Sequence, residues 1–453
     1  MINLDVLIIG GGTAGEYAAS YAMGTGRSVG MVERGAIGGA CIFNACIPTK
    51  AMVHAARMYE KMKNADFYGL PTPKEAADFK NVKAFKDKII GGIGTGRDER
   101  WTKRGVQLFR GNAQFKSPNE VAVGNELIKA SKIIITTGSS PIAPPIPGLK
   151  EAGFITNIEA RELEKVPDML VIIGGGPIGV EFARVFSVFG ARVHIVEALD
   201  RILAAEDEET SSAIEDALGK RGIQVSTSAK VIEVKTTASG KAVKLQKEDG
   251  SERDLECAEI LVSTGRKPNI EEINLSAAGI EAGKRGINVD TSLQTNVPHI
   301  WAAGDVTGTF LFTYVAGEQG KTAALNATTG SHTELDYSVL PRATFCDPEV
   351  ASVGLTEKQA REKGYNVKVG KFDYANLTRA IVSGETEGFI KVIAEENSGR
   401  ILGGHMVGAE ASSLIHEIAA AMAGGVSVSV VGNTLHSYPT LSEGVRYACQ
   451  ATM

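Results

Sequence analysis

Two glycine-rich segments that lie far apart in the chain share one pattern. They read DVLIIGGGTAGEYAA from residue 5 and MLVIIGGGPIGVEFA from residue 169. In each, an apolar run is followed by G-x-G-x-x-G, a helix-like segment and a second apolar run that ends in a carboxylate. This order is typical of a βαβ unit that binds a dinucleotide, so the repeat predicts two such units. The residues concerned are Gly10, Gly12, Gly15 and Glu33 in the first copy, and Gly174, Gly176, Gly179 and Glu197 in the second.

Each position of the motif has a physical role. The first glycine makes a tight turn, the second lets the backbone approach a pyrophosphate, and the third lets helix and strand pack closely. The helix N-terminus attracts phosphate, and the carboxylate accepts hydrogen bonds from ribose hydroxyls. A single match is also compatible with an ordinary glycine turn, but two complete copies favour nucleotide binding. Glu197 favours NAD over NADP, although Arg192 and Arg201 lie near it in the sequence.

A cysteine pair stands in the segment GGACIFNACIPTK, at Cys41 and Cys46. The chain has five cysteines among 453 residues and begins with a strand-like segment that has no export signal. We therefore expect a cytoplasmic protein, in which structural disulfides are rare. A redox pair is favoured over a zinc site, which would need about two further ligands. An idle pair of thiols is the third alternative.

The composition excludes several classes of function. The formal net charge is -5 and apolar residues make up 43% of the chain. We therefore expect no nucleic-acid partner. No apolar run is long enough to cross a bilayer, so no membrane association is expected. Two strand-like segments end in Thr-Gly, IIITTGSSP and ILVSTGRKP, and from about residue 338 the pattern predicts an antiparallel sheet flanked by helices.

These pieces, taken in order along nearly the whole chain, resemble the pyridine nucleotide-disulfide oxidoreductase family. The matching motifs are GGGTAG, the cysteine pair with IPTK, GGGPIGVE, STGRKPN, IWAAGD, PRATFCDPEVASVGLTE and YPTLSEG. The resemblance implies an α/β fold with two Rossmann-like domains, for FAD and NAD, and a C-terminal α+β dimerisation domain. The expected domains are 1–147 and 267–337 for FAD, 148–266 for NAD and 338–453 for the interface.

The resemblance also implies a mechanism and a set of site residues. Electrons would pass between NAD(H), FAD and a Cys41–Cys46 disulfide, with Cys46 facing the flavin and Cys41 exchanging with substrate. Lys50 and Glu181 would pair near the flavin N5 and the nicotinamide, and Asp305 would bind the ribityl chain. Active sites would be shared across a homodimer, with the C-terminal segment supplied by the partner subunit. Further cofactor contacts would come from Gly39, Lys50, Thr137, Gly138, Gly265, Arg266 and Gly304.

The cysteine motif departs from the family pattern Cys-x-Asn-x-Gly-Cys. Phe43 stands where the family has Asn, and Ala45 where it has Gly. Phe43 is interpreted as a core residue, or alternatively as a side chain that narrows access to Cys41. Five residues of regular helix advance about 7.5 Å, whereas a disulfide needs Cα atoms within roughly 7 Å. We therefore expect a distorted helix start between the cysteines.

The C-terminal segment LHSYPTLSEG departs as well. Thiol-handling members carry a histidine where this chain has Tyr438, followed by the catalytic glutamate, here Glu443. A phenol titrates near pH 10 and imidazole near 6.5, so tyrosine is a poor base at neutral pH. His436 is interpreted as structural, with a substitute base as the alternative. Glu443 either orients Tyr438 or caps a helix.

These residues leave several substrates open. The first hypothesis is a dihydrolipoyl-type dithiol, either a small molecule or carried on a lipoyl domain. The alternative resembles mercuric reductase, because Tyr438 and Tyr314 match that branch, and takes a metal ion or metal–thiol complex. Cys449 is expected to have no substrate role, and Cys257 and Cys346 are expected to be packing residues. The remaining hypotheses are another disulfide, a quinone or a further acceptor, and a non-catalytic role as a structural component or redox sensor.

Overall fold

The computed structural model describes residues 1–453. The strands are β1 Ile2–Ile9, β2 Val29–Glu33, β3 Gln107–Arg110, β4 Ala113–Ser117, β5 Glu120–Val123, β6 Glu126–Ile135, β7 Ser139–Pro141, β8 Met169–Ile173, β9 Arg192–Val196, β10 Gln224–Ser226, β11 Ala229–Thr237, β12 Gly240–Lys247, β13 Glu252–Cys257, β14 Glu259–Val262, β15 Arg266–Pro268, β16 Ala282–Gly283, β17 Gly286–Ile287, β18 Ile300–Ala302, β19 Arg342–Thr344, β20 Glu349–Gly354, β21 Val367–Asp373, β22 Phe389–Glu395 and β23 Ile401–Gly408.

The helices are α1 Thr13–Gly24, α2 Gly39–Phe43, α3 Cys46–Lys63, α4 Phe79–Gly94, α5 Arg97–Lys103, α6 Leu149–Ala152, α7 Asn157–Ala160, α8 Pro177–Val188, α9 Glu208–Lys220, α10 Thr313–Thr329, α11 Glu357–Glu362, α12 Thr378–Ser383, α13 Ala411–Ala423, α14 Val428–Asn433 and α15 Glu443–Gln450. None of these helices combines the length and apolar composition needed to span a bilayer.

The chain forms two compact units. The first contains Met1–Pro48, Ala84–Ile142 and Gly265–Asp336. The second contains Thr49–Lys83, Ala143–Thr264 and Tyr337–Met453.

The first unit is built on a sheet with the order β3-β2-β1-β6-β5-β4, in which β18 also pairs with β6. The pairs β1–β2, β2–β3, β1–β6 and β6–β18 are parallel. Along β1, Leu7 and Ile9 pack into one buried cluster while Val6 and Ile8 pack into another. Both faces of this strand are therefore covered, which explains why it reads as a continuous apolar run. The first glycine motif lies at the end of β1 and leads into α1.

The second unit repeats the arrangement with a four-stranded parallel sheet, β10-β9-β8-β14. Residues of β8 also alternate between two clusters, with Leu170 and Ile172 on one face and Val171 and Ile173 on the other. The second glycine motif lies at the end of β8 and leads into α8. An antiparallel three-stranded sheet, β11-β12-β13, covers part of this fold.

The C-terminal part of the second unit is an antiparallel sheet in the order β19-β20-β23-β22-β21. Its buried face packs against α13 and α15, through residues such as Ile390, Val392, Ile418 and Val445. The predicted fold class is confirmed, with two nucleotide-binding folds and a C-terminal α+β region.

Candidate active site

The first and third glycines of both motifs are required by close backbone contacts. Gly10 and Gly174 have positive φ angles of 112° and 109°. A Cβ would lie 2.4 Å from a carbonyl oxygen at Gly10 and 2.7 Å from one at Gly174. At Gly15 and Gly179 a Cβ would lie 1.9 and 2.1 Å from the carbonyl oxygen of the first glycine. Only glycine fits these four positions, as the motif predicts.

The middle glycines leave space in front of a helix. Gly12 and Gly176 cap the N-termini of α1 and α8, each twelve residues long. A Cβ at Gly176 would meet nothing within 4 Å, and one at Gly12 only the Cα of Gly39, at 3.9 Å. The first amides of a helix have no partner inside it. An open space that faces them fits the pyrophosphate of a dinucleotide, so both folds fit such a cofactor.

The two motif carboxylates also hold their own glycine turns. Glu33 accepts hydrogen bonds from the amides of Gly11 and Gly35, both at 2.7 Å. Glu197 accepts them from Gly175 and Leu199, at 2.6 and 2.9 Å. Because each carboxylate oxygen has a second lone pair, a ribose hydroxyl can still be bound. The sequence predicted the ribose contact but not this turn-stabilising role.

A cleft of about 310 Å³ opens beside Glu33 and Thr137 in the first unit. It is also lined by Arg34, Asn112 and Lys267, which the sequence analysis did not identify. The Thr137 hydroxyl donates to the carbonyl of Asn269 at 2.7 Å, and so belongs to the cleft wall. The cleft continues from the first glycine turn and provides room for the nucleoside part of a dinucleotide.

A second polar cluster surrounds Asp305. The Ser139 hydroxyl donates to Asp305 Oδ2 at 2.5 Å, and Arg266 Nε donates to the Ser139 hydroxyl at 2.7 Å. Burial lowers the pKa of Arg266, and the Asp305 charge opposes that shift. Gly304, with a φ of 80°, donates its amide to Gln319 at 2.8 Å. Ser139 was not predicted, because nothing in a lone serine signals that a distant arginine and aspartate meet on it.

The cysteine segment is broken between its two thiols. Helix α2 ends at Phe43, and α3 begins at Cys46. Asn44 has φ -129° and ψ -9°, and Ala45 does not have a positive φ. The expected distortion is therefore present without the glycine of the family motif, since the turn needs no left-handed residue.

Cys46 lies at the N-terminus of two helices. It begins α3, and its Sγ lies 3.2 Å from the hydroxyl of Thr313, the first residue of the 17-residue α10. Helix N-termini favour negative charge, so this position favours a thiolate. Thr313 was not predicted, since it is 267 residues from Cys46.

Lys50 and Glu181 form an ion pair in the second unit. Lys50 Nζ lies 2.8 and 2.9 Å from the two carboxylate oxygens. Phe345 contacts both partners, because its backbone N–H donates to Glu181 at 2.9 Å and its ring centroid lies 4.7 Å from Lys50 Nζ. Phe345 was missed because a backbone donor leaves no trace in the sequence.

Comparison with known proteins identifies the family. Residues 4–320 match the pyridine nucleotide-disulphide oxidoreductase family, and residues 340–449 match its dimerisation domain. The chain is a pyridine nucleotide-disulphide oxidoreductase. Members of this family use FAD and NAD(P)H, and the dimerisation domain supports a homodimer.

Relatives of this oxidoreductase carry two different names. A mercuric reductase from Lysinibacillus sphaericus is 36% identical over 451 residues, which cover 98% of this chain and 82% of the relative. A dihydrolipoyl dehydrogenase from Thermus scotoductus is 37% identical over 455 residues, covering 100% and 98%. Among solved structures, the Cu(II) complex of the HOCl-induced flavoprotein disulfide reductase RclA from Escherichia coli has a TM-score of 0.89. It is 28% identical, and 99% of each chain is covered.

Tyr438, in the C-terminal segment of the oxidoreductase, lies on the surface of the single chain. This side chain is 71% exposed, and its hydroxyl donates to the Thr378 hydroxyl at 3.2 Å. His436 makes other contacts, with Nε2 2.8 Å from Glu417 Oε1 and Nδ1 3.0 Å from the Thr434 carbonyl. Both ring nitrogens are therefore engaged, which supports the structural interpretation of His436.

Glu443 is buried at the first position of α15. It accepts a hydrogen bond from the Thr440 amide at 3.0 Å and one from the Tyr447 hydroxyl at 3.3 Å. Glu443 therefore holds the turn that precedes α15 and the Tyr447 side chain; it makes no cap hydrogen bond to α15 and no hydrogen bond to Tyr438.

The other three cysteines lie in apolar surroundings. Burial raises the pKa of Cys257 to about 11 and that of Cys449 to about 12. Burial also raises the pKa of Cys346, which is fully enclosed. Thiols held in the protonated form are poor nucleophiles and poor metal ligands, so these positions support packing roles.

Proposed function

We propose that this oxidoreductase uses NADH to reduce a soft, thiolate-binding metal ion, or its complex with a small thiol, at the Cys41–Cys46 pair. One observation carries the proposal: the segment that supplies a base in thiol-handling relatives offers only an exposed Tyr438. His436 and Glu443 are committed to other partners. The order of the two substrate hypotheses is therefore the reverse of the order that the sequence suggested.

Proton accounting explains this preference. Oxidation of a dithiol releases two protons, and a base near neutrality accelerates such a step about 100- to 10,000-fold. A phenol titrates near pH 10 and accepts protons poorly at pH 7. A soft metal ion instead binds thiolates directly and needs no general base at that step.

The cofactors, when bound, supply two electrons as a hydride from NAD(P)H through FAD to the cysteine pair. The first glycine fold, with Glu33 and Asp305, would hold FAD, and the second would hold the nicotinamide nucleotide. Lys50 and Glu181 would order the reacting region, because their ion pair is fixed by Phe345. Oxidation of the two thiolates to a disulfide releases two electrons, enough for one two-electron or two one-electron metal reductions.

Cys46 and Cys41 would have different tasks. Two helix N-termini and the Thr313 hydroxyl stabilise negative charge at Cys46, which suits a thiolate held beside the flavin. Cys41 lies in α2, is half-buried and would meet the substrate. A Tyr438 supplied by the partner subunit would donate a hydrogen bond rather than accept a proton.

The second fold favours NAD over NADP. Glu197 follows β9, where its negative charge would repel a 2'-phosphate. Arg192 is the first residue of β9, so it lies about 16 Å away at the other end of the strand. Arg201 is engaged by Asp200 at 3.1 Å and by the Ala204 carbonyl at 3.1 Å. Neither arginine is placed to receive that phosphate.

The relatives support the proposal to different degrees. The names of the mercuric reductase relative and of the Cu(II) complex of RclA both point to soft metal ions. Cys449 is buried, so this thiol is not accessible to deliver a metal. The metal would therefore reach Cys41 as a complex with a small thiol.

A dihydrolipoyl-type dithiol, small or lipoyl-domain-bound, is the second candidate. It is favoured by the dihydrolipoyl dehydrogenase from Thermus scotoductus, because the match covers 98% of that relative. In this case the protein would oxidise the dithiol slowly with NAD as the acceptor, because Tyr438 is a poor base.

A paired assay on the FAD-loaded homodimer tests the proposal. NADH oxidation is measured with Hg(II)–thiol complexes and, without added thiol, with Cu(II), and NAD reduction is measured with dihydrolipoamide. NADH-driven dye reduction shows that the flavin is competent, and Cys41→Ser shows which activities need the thiol. Metal-dependent turnover that Cys41→Ser abolishes supports the proposal. Faster dihydrolipoamide oxidation than metal reduction supports the second candidate, and dye reduction alone overturns both.

A further inference from the structure

The ring of Phe43 lies against Gly94, the last residue of α4. A Cβ at Gly94 would lie 2.6 Å from Phe43 Cε1 and 2.9 Å from Cζ, which is closer than real Cβ atoms come to their neighbours. Gly94 does not have a positive φ, so its own backbone conformation would accept other residues. The glycine is required at this position by the Phe43 ring, which occupies the space of a side chain.

Phe43 lies inside the redox segment, which we define as residues 38–46. It ends α2, two residues after Cys41, and the helix break at Asn44 follows it directly. The contact with Gly94 therefore restrains the end of α2, which carries Cys41. Cys46 lies on the other side of the helix break, at the start of α3. The distance between the two thiols thus depends on how far the end of α2 can move.

Arg97 lies close to Gly38, the first residue of the redox segment. A Cβ at Gly38 would lie 3.2 Å from Nε of Arg97, the first residue of α5. The Arg97 guanidinium in turn binds the carboxylate of Glu16 at 2.6 Å. Residues at the corner between α4 and α5 thus lie beside the redox segment at Gly38 and at Phe43.

We propose that Phe43, seated on Gly94, is a positioning residue that sets the spacing of Cys41 and Cys46 and thereby their disulfide–dithiol equilibrium. This inference rests on the proposed redox role of the pair. A disulfide needs two sulfurs about 2.05 Å apart and Cα atoms within roughly 7 Å, whereas a dithiol has no such requirement. A contact that holds the end of α2 therefore favours one state over the other.

Gly94→Ala tests the contact directly. The new methyl group overlaps the half-buried Phe43 ring, so the ring must shift, and we expect the end of α2 to shift with it. Gly91→Ala and Gly92→Ala are matched controls. They lie in the same helix, and a Cβ at either position meets nothing within 4 Å. All three changes add one methyl group to the same helix, and only the one at Gly94 would overlap the Phe43 ring.

A double variant provides the rescue. Phe43 Cδ1 would lie 3.8 Å from the Gly94 Cβ, an ordinary contact distance. Leucine at position 43 keeps atoms near Cδ but lacks Cε1 and Cζ, so Phe43→Leu with Gly94→Ala refills the space without overlap. A general loss of stability in α4 would not be repaired by this change.

The readout is the Cys41–Cys46 equilibrium of the FAD-loaded homodimer in dithiothreitol buffers, trapped by alkylation and quantified by mass spectrometry. Dithiothreitol transfers two electrons and two protons to the Cys41–Cys46 disulfide. The S–S bond of the protein breaks to give two thiols, and the reagent becomes a cyclic disulfide. Gly94→Ala is expected to shift the equilibrium at least fivefold from the wild-type value. The two controls should stay within twofold of the wild type, and the double variant should return to within twofold.

Each outcome decides the matter. A Gly94→Ala value within twofold of the controls, or a double variant no better than Gly94→Ala, overturns the inference. If Gly94→Ala does not fold, Phe43→Leu alone carries the test, with an expected shift of at least threefold and rejection below twofold. A wild-type pair that does not interconvert in these buffers contradicts the proposed function instead.

Discussion

Lys50 and Glu181 form an ion pair whose two members differ in their access to water. Lys50 Nζ lies 2.8 Å from Glu181 Oε1, yet the lysine side chain is 35% exposed and the glutamate side chain only 4%. The lysine can therefore be hydrated without its partner, whereas the glutamate cannot. Removal of Lys50 therefore leaves a buried charge without a partner, whereas removal of Glu181 leaves a charge that water can hydrate.

Lys50→Met should destabilise the protein more than Glu181→Gln. Methionine leaves a buried carboxylate without its cation, which costs about 3 kcal/mol in the free energy of unfolding. Glutamine leaves a lysine that turns to solvent, at about 1 kcal/mol. Urea denaturation of the FAD-loaded protein measures both. Lys61→Met, which breaks a more exposed pair with Glu385, is the control and should cost less than about 1 kcal/mol. Equal costs for the first two variants would contradict this asymmetry.

Glu197→Gln should relax the choice of nucleotide. Glutamine keeps one of the two acceptor oxygens that hold the turn and removes the charge that repels a 2'-phosphate. We expect the ratio of kcat/KM for NADH over NADPH to fall about tenfold, measured by dye reduction; this corresponds to about 1.4 kcal/mol. Arg192→Gln, at the far end of β9, should leave the ratio unchanged. An unaltered ratio in Glu197→Gln would refute the ribose assignment.

Tyr438→His should create the base that the C-terminal segment lacks. Dihydrolipoamide oxidation should rise at least tenfold, because a group that titrates near pH 6.5 can accept the thiol proton. The gained activity should increase with pH through about 6.5, where imidazole becomes neutral and able to accept a proton. Tyr438→Phe is the control and should bring no gain. No increase in Tyr438→His would mean that another group or substrate access limits dithiol turnover.

A buried ion cluster should make stability depend on pH. Lys391 Nζ lies 3.1, 2.8 and 2.9 Å from carboxylate oxygens of Asp207, Glu209 and Glu357. The hydrogen bond from Lys391 lowers the pKa of Glu357. Burial raises the pKa of Asp207, but His405 and Lys391 outweigh it and the net shift is downward. A carboxyl group whose pKa is lower in the folded protein stabilises the fold at any pH above its unfolded pKa, near 4. This stabilisation is lost as the pH falls through the pKa of the folded state.

Lys391→Met should therefore cost about 3–5 kcal/mol at pH 7, because three carboxylates lose their shared cation. The difference from the wild type should shrink as pH falls below about 4, since protonated carboxyls no longer need that cation. Urea denaturation at pH 7, 5 and 3.5 measures the free energy of unfolding of the variant and of the wild type. Lys371→Met removes a more exposed partner of Glu209 and should cost less than about 1 kcal/mol. A cost that does not change with pH would rule out the electrostatic explanation.

The local features of the fold were predictable because they follow from short-range chemistry. The positive φ angles of Gly10 and Gly174, and the close contacts at Gly15 and Gly179, are properties of a turn that the motif specifies. The helix break between Cys41 and Cys46 follows from their spacing, since a regular helix would hold them too far apart. The continuous apolar runs predicted parallel strands covered on both faces.

Contacts between distant segments were not predictable in the same way. The sequence left Phe43 between two interpretations, and only the packing of its ring on Gly94 supports the first. It likewise left His436 and Glu443 open until their contacts with Glu417 and Thr440 were seen.

The sequence by itself determined the two nucleotide folds, the close spacing of Cys41 and Cys46 and the family, because each depends on motifs whose residues lie a few positions apart. Only the tertiary structure decided that Ser139 joins Arg266 to Asp305, that Thr313 meets Cys46 and that Phe345 holds Lys50 and Glu181. These contacts join segments between 127 and 295 residues apart, counted from Ser139–Arg266 and from Lys50–Phe345. Their geometry is set by how strands and helices pack, and no local pattern encodes it.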